Sequence, residues 1–513
     1  MKIWLDKLMT HVAYFYIITP FLLFCYGWLR WYYALGMTIV LVVSYLLSIK
    51  STKEFIKTDV RKHTGKIIAA LAIIIIIVFF SGIGEYSYQV EDHQFRNSML
   101  HDLVTHKWPF RLNERGDNAY LGRPVLYIYY IEYWFPAALV GKLLGWKAAN
   151  FFLYLWTVIG VTITFYFLCR YFKRFSLRVL FIFFFFNGLY LIVSFFKFPV
   201  VSVITSDYQL WSGDMLLAGS SIDSLFWIYN QIITPWIIII FILNNLPKQN
   251  IFFLYALCYL HGPFTFIGFF PFLAIILIKD LFAKQIIPQP FIQRILPYLS
   301  FQNLVAAPLI LLVGYLFLSG STSVQTLFFE HVRLIKYAAF ISVSFGIIAL
   351  LLFNKYKKEP LFYATVIMLS VLPLVGMGNI QPFTFCARVS LAPQFILMLL
   401  TAKFVLEEGN ILLKKLVVTY LILGTIEPAL ELGRSVVFTV GYYVDPVCMN
   451  TYLYHRTSLF NSRINMLPKT NDFKNSNFLI LNYIETLDTS INPNMPYFKV
   501  QKDTTLFSRF LMK

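Results

Sequence analysis

Apolar positions in this chain form long unbroken runs. They show neither the alternation of a half-buried strand nor the narrow stripe of a surface helix. Ile67 to Phe80 reads IIAALAIIIIIVFF, and Val179 to Phe196 is a Phe-rich run of the same kind. Runs approaching ~20 residues, enough to cross the hydrocarbon core, recur along most of the length. Bare backbone cannot sit in lipid, so such runs are helices or strands of a closed barrel. The lack of period-two alternation leaves helices. The pattern predicts an all-α polytopic membrane protein with about 13 transmembrane helices.

The polar stretches between runs set the expected topology. Short loops rich in Lys and Arg mark the cytoplasm. The basic segment Lys50 to Lys66 therefore lies inside, after an N-terminal helical hairpin, and the third helix (66–82) runs outward. The stretch Pro124 to Gly145 holds Pro124, Glu132 and Pro136 and makes a poor span. Read as an interfacial or half-embedded helix on the outer face, it puts the later basic loops inside together. Those loops are Arg170–Arg178, Lys248, Lys279–Lys284, Lys355–Lys358 and Lys414–Lys415. The same parity requires two short helices turning at His261-Gly262-Pro263, where Gly and Pro favour a break. The other spans are expected at 147–169, 179–197, 224–244, 303–318, 335–353, 361–376, 388–406 and 412–432. Loops 83–146 and 198–223, turns 319–334 and 377–387, and a polar tail 433–513 then share the outer face. The organisation is a hairpin with its basic loop (1–65), a membrane module (66–432) and that tail.

Composition sharpens this picture. Charged residues make up 13% of the chain, half the share of an average soluble domain, so a soluble enzyme is excluded. The net charge of +18 fits loops meeting anionic headgroups, and nucleic acid is not an expected partner. Cys25, Cys169, Cys258, Cys386 and Cys448 are scattered without a CxxC, which indicates neither a zinc site nor a disulfide framework. Lys2 and Lys7 precede an apolar run, but a second run follows at once with no small-residue cleavage site. This reads as an uncleaved anchor.

Candidate chemistry gathers in the outer loops. Glu91, Asp92 and His93 follow soon after the third helix, and His101, Asp102 and His106 come next at near-helical spacing. An acid held beside apolar walls can have its ionisation tuned and act as a base, whereas a solvated loop acid only faces water. Asp207, Asp214 and Asp223 lie in the second outer loop; Ser220 to Asp223 reads as a capping-box variant, leaving Asp207 and Asp214 open to a metal or acceptor role. Asn230 and Gln231 fall early in the following helix, as buried amides that bond other helices or line a cavity. His331, Arg333 and Lys336 cluster at a further outer turn. Arg388 stands at the outer end of a helix, where a guanidinium can grip a lipid phosphate or merely anchor at the headgroups.

This arrangement resembles the GT-C superfamily of integral-membrane glycosyltransferases, which includes protein O-mannosyltransferases and oligosaccharyltransferases. The resemblance lies in an outward helix (66–82), acids soon after it (Glu91, Asp92), a helix along the membrane and the basic turn Arg170 to Arg178. The segments 92–110, 227–236 and 378–393 look like a bacterial, largely uncharacterised branch. The chain departs from it in having Gln381-Pro382-Phe383 where an acid is expected, and Tyr229-Asn230-Gln231 without the Pro and His. The resemblance implies transfer of a sugar from a polyprenyl-phosphate carrier to an envelope acceptor at the outer face of a bacterial inner membrane. It implies Asp92 as base with Glu91 as alternate, and Arg388, Arg333, His331 and Lys336 as phosphate-binding cations. Some relatives use a divalent metal (Mg or Mn), which Asp207, Asp214, His93 or Asp102 would complete; others use none. The rivals are a lipid or solute transporter and an inactive scaffold.

Overall fold

The structure, a computed structural model, describes residues 2–51, 64–90, 92–109, 111–112, 125–189, 191, 215, 217–244, 248–282, 290–319, 327–329, 333–377, 382–445, 499–502 and 506–512. Helices dominate. In chain order they are α1 (Lys2–Trp28), α2 (Trp31–Ser51), α3 (Thr64–Phe80), α4 (Asp92–Thr105), α5 (Phe135–Leu144), α6 (Trp146–Tyr171), α7 (Leu177–Phe185), α8 (Ser221–Leu243), α9 (Ile251–His261), α10 (Pro263–Phe282) and α11 (Phe291–Ile295). They continue as α12 (Ala307–Ser319), α13 (Leu334–Ile341), α14 (Ile347–Tyr356), α15 (Pro360–Val371), α16 (Pro382–Val389), α17 (Leu391–Glu407), α18 (Ile411–Gly424) and α19 (Ile426–Val444). Short π-helical turns at Gln302–Ala306 and Ser342–Gly346 lead into α12 and join α13 to α14. Among the described residues, eight helical stretches are long and apolar enough to cross a membrane. The protein is thus built as a polytopic membrane protein.

The segments expected on one face do meet there. Strand β1 (Arg111–Leu112) pairs antiparallel with β2 (Val125–Ile128), and β2 pairs with β5 (Lys499–Lys502), tying the first loop to the C-terminal region. Strand β3 (Leu327–Phe329) pairs with β4 (Val375–Met377), joining two further turns. The Ala218 amide donates to Ser390 Oγ at 2.7 Å, and Gln394 donates to the Ala218 carbonyl at 3.0 Å. At the C-terminus, Arg30 donates to the Met512 carbonyl beside the α1–α2 turn.

The break at Gly262 separates α9 from α10 as the Gly-Pro pair implies. A side chain at Gly262 would collide with the Gln231 carbonyl of α8, so glycine also sets how closely these helices approach. Ser220 and Asp223 cap α8 with a reciprocal capping box. Three expected boundaries move. The run expected as one helix over 179–197 is interrupted after Phe185: Asn187 bonds the Gly188 amide, and the Leu189 amide bonds Val343, pulling 186–189 out of the helix. The helical part of 124–145 starts at Phe135, where Pro136 suits a first turn, and its ten residues, ~15 Å, are too short to span. The helix expected to end at 432 does not end there, because α19 continues to Val444. Ser435 and Thr439 on its buried face bond Phe80 and the Tyr88 amide.

One face of helix α1 packs into the core. Tyr14, Tyr16, Phe21, Phe24 and Trp28 are all buried, and Tyr16 stacks on Trp156 with ring centroids 4.1 Å apart. A side chain at Gly160 of α6 would strike Tyr16 and Ile233, so glycine lets α1, α6 and α8 cross closely. At the far end of α6, Tyr166 donates to Asp6, and Arg170 lies 3.7 Å from the same carboxylate.

Candidate functional site

The first turn of α4 carries the strongest sequence candidate. Asp92 sits where a helix N-terminus favours an anion. Its Oδ2 accepts from Arg96, one turn along, at 2.8 Å. The Asp92 side chain is 43% exposed, while Arg96 is 2% exposed. A guanidinium this deep needs partners. Arg96 finds a second in the Phe226 carbonyl at 3.3 Å and lies 5.4 Å from the centre of the Tyr229 ring. Ile228 interrupts the helical geometry of α8 (φ −148°, ψ 31°), and the carbonyl two residues before it is the one that takes these side-chain bonds.

His93 contacts the same carbonyl, its Nε2 3.0 Å away. Burial first, and the charge of Arg96 second, hold its imidazole down at about 3, so it is neutral at pH 7. Nε2 then carries the proton and Nδ1 faces the Gln89 amide at 3.4 Å. With both ring nitrogens engaged, His93 is not available to a metal. Asp102 lies ten residues along α4, ~15 Å from Asp92, fully buried beside His101 at 3.6 Å. The two do not form one site. Among the described residues no group of three metal-ligating side chains converges. Glu91, His331, Asp207 and Asp214 lie outside the described residues. Among the described residues no divalent-cation site is assembled, and no step below runs through one.

Arg388, on α16, reaches the α4 cluster through a tyrosine pair. Its Nη1 donates to the Tyr130 hydroxyl at 2.5 Å, and its guanidinium lies 5.7 Å from the Phe264 ring centre. Tyr130 packs on Tyr129 with centroids 3.8 Å apart, and Tyr129 meets Phe95 of α4 edge-on. Burial and the neighbouring Tyr130 raise the Tyr129 phenol, while Arg388 and Arg96 both pull it down. Arg333 and Lys336 are exposed at the start of α13 and bond none of these residues.

Three buried groups escaped sequence reasoning. Glu85 follows α3 more closely than Asp92 does, in a turn where its own φ is +67°. Burial pushes its carboxyl up to about 7, against hydrogen bonds that include one from Asn150 at 2.9 Å. Glu132 is fully enclosed, and neither carboxylate oxygen makes a hydrogen bond within the described residues. Burial pushes it well above the usual carboxylate range. His261 Nε2 lies 3.4 Å from Glu132 and 3.3 Å from the carbonyl of Ile17, midway along α1. On α8, both amide atoms of Asn230 and Nε2 of Gln231 are buried without a hydrogen bond among the described residues. An acid in an aromatic run and a histidine at a turn give no local sign that they will face each other.

The chain matches no family model, and comparison with curated proteins and with solved structures returns no match either.

Proposed function

We propose that this protein is a membrane glycosyltransferase moving a sugar from a polyprenyl-phosphate carrier to an envelope acceptor at the outer face of a bacterial inner membrane. One observation carries the reading: the Asp92–Arg96 pair lies on α4, whose Phe95 meets Tyr129, and Tyr129 packs on the Tyr130 that binds Arg388. An accessible carboxylate, guanidinium groups and aromatic faces within one region suit a phosphate-linked sugar. Arg96 holds Asp92 by Oδ2 and leaves Oδ1 without a partner among the described residues. Oδ1 takes the acceptor's hydroxyl proton as that oxygen attacks the anomeric carbon. The bond from that carbon to the phosphate oxygen breaks, and its electron pair leaves with the polyprenyl phosphate. Arg388 receives the phosphate charge, and Arg333 and Lys336 meet the headgroup on its approach. The reading keeps thirteen crossings, with the N-terminus inside and the C-terminus outside; the eight long helical stretches and two shorter apolar ones, Thr64–Phe80 and Pro360–Leu374, are consistent with a chain that crosses many times.

The test compares lipid-linked sugars and envelope glycans in cells carrying wild type or Asp92→Asn at equal protein level. A polyprenyl-phosphate sugar accumulates and a glycan loses one residue only in the variant, with transfer reduced about 10²- to 10⁴-fold. Matching profiles sink the reading.

A transporter is the second reading, and the enclosed Glu132–His261 pair favours it, because ionisable groups inside a membrane protein often mark a transport path. Uptake or export by proteoliposomes that Glu132→Gln abolishes and Asp92→Asn spares puts the transporter ahead.

A further inference from the structure

Far from the α4 cluster, α7 and α18 enclose a pocket of about 320 Å³. Its walls are two helical stripes, Arg178, Phe181 and Phe185 on α7 and Lys414, Val418 and Ile422 on α18. Both cations lie at the same end. From there the α18 stripe runs eleven residues to Thr425, ~16 Å, about half the hydrocarbon thickness. The far end is closed where Gly424 packs so tightly on Asn187 that a side chain there would strike its carbonyl. Phe181 is 51% and Ile422 60% exposed, so the pocket opens sideways, toward what is lipid in a membrane. Neither cation's side chain makes a hydrogen bond or salt bridge among the described residues. Glu408, the acid whose charge Lys414 influences, is bridged to Lys355 at 3.8 Å.

We infer that this pocket is a binding site for an anionic glycerophospholipid of the leaflet on the basic-loop side. The phosphate sits between Arg178 and Lys414, and an acyl chain lies along the apolar stripes. Charge complementarity at one end and a one-leaflet depth select this occupant over a soluble anion or a neutral lipid. The inference does not depend on the transferase reading.

The experiment is native mass spectrometry of the delipidated full-length protein titrated with phosphatidylglycerol, phosphatidylcholine or glycerol phosphate. Phosphatidylglycerol binds the wild type roughly 30-fold more tightly than phosphatidylcholine, the combined attraction of two basic residues for an anionic headgroup. Arg178→Gln with Lys414→Gln removes that preference and keeps weak phosphatidylcholine binding. Lys357→Gln with Lys358→Gln, at an exposed basic turn, retains it. Val418→Trp fills the pocket and lowers retention of both lipids. Equal binding of the two lipids by the wild type overturns the site, as does full preference in the Arg178/Lys414 variant. Competition by glycerol phosphate at concentrations comparable to the lipid overturns the lipid as occupant. A double variant that fails to fold leaves Val418→Trp to decide: undiminished retention there overturns the pocket.

Discussion

The two ends of the molecule use charge in opposite ways. At the basic-loop end, ion pairs link the ends of separate helices: Arg170 to Asp6, Lys248 to Asp280, Lys279 to Glu359 and Lys355 to Glu408. Most of these side chains keep contact with solvent, and each acid has its cation. At the other end Arg96, Glu85 and His93 are buried, as are Asn230 and Glu132, which have polar atoms without a hydrogen bond among the described residues. Solvated pairs cost little to form and contribute little. Buried charges cost several kcal/mol each unless paired. Arg170, 8% exposed, is a buried charge at the basic-loop end as well, but there a carboxylate faces it.

Arg96→Met tests this contrast most severely. The substitution keeps most of the volume but removes both bonds of the guanidinium, leaving the buried Phe226 carbonyl with His93 alone. A loss of about 3 kcal/mol is expected, the cost of breaking a buried charged pair. It reads out as a lower denaturation midpoint of the purified protein. A loss below about 1 kcal/mol would make Arg96 equivalent to the charges of the opposite end.

Glu85 sharpens the contrast through pH. Its folded carboxyl titrates at about 7, against an ordinary value near 4.5. Between those values the folded protein holds a proton that the unfolded chain has lost. Stability from this group is therefore full below about 4.5 and falls as pH rises through about 7, by on the order of 3 kcal/mol in all. Glu85→Gln stays neutral and still accepts from Asn150, so its stability exceeds that of wild type above pH 7 and matches it near pH 4. Parallel curves would remove the burial argument.

What was legible in the sequence was local. The break at Gly262 and the Ser220–Asp223 capping box depend on residues within a few positions of each other, and both formed as read. Asp92 stood out as an acid near a helix end, but its clamp could not be read: Arg96 is buried only because α8 delivers the Phe226 carbonyl from 130 positions away. Glu132 and His261 meet across a similar distance in sequence. The misplaced helix ends have the same cause. Asn187 and Gly188 look like two residues in an apolar run until Val343 offers the carbonyl that draws the chain aside. The segment 433–444 looks polar until Phe80 and Tyr88 receive Ser435 and Thr439.

The smallest effect is expected at the solvated end, in the Lys279–Glu359 pair. Its nitrogen and oxygen are 3.2 Å apart, with the side chains 58% and 46% exposed. Water and salt screen the attraction, and ordering two long side chains offsets much of it. Lys279→Ala, Glu359→Ala and the double variant should give a coupling of about 0.2–1 kcal/mol that shrinks in high salt. The pair is still informative, because it bridges the end of α10 to the turn before α15. A larger coupling that salt does not weaken would mean this end is not solvated, and that the headgroup region encloses it. The division between a charged end that sets topology and a buried end that serves function would then have to be drawn on depth in the bilayer and not on exposure to water.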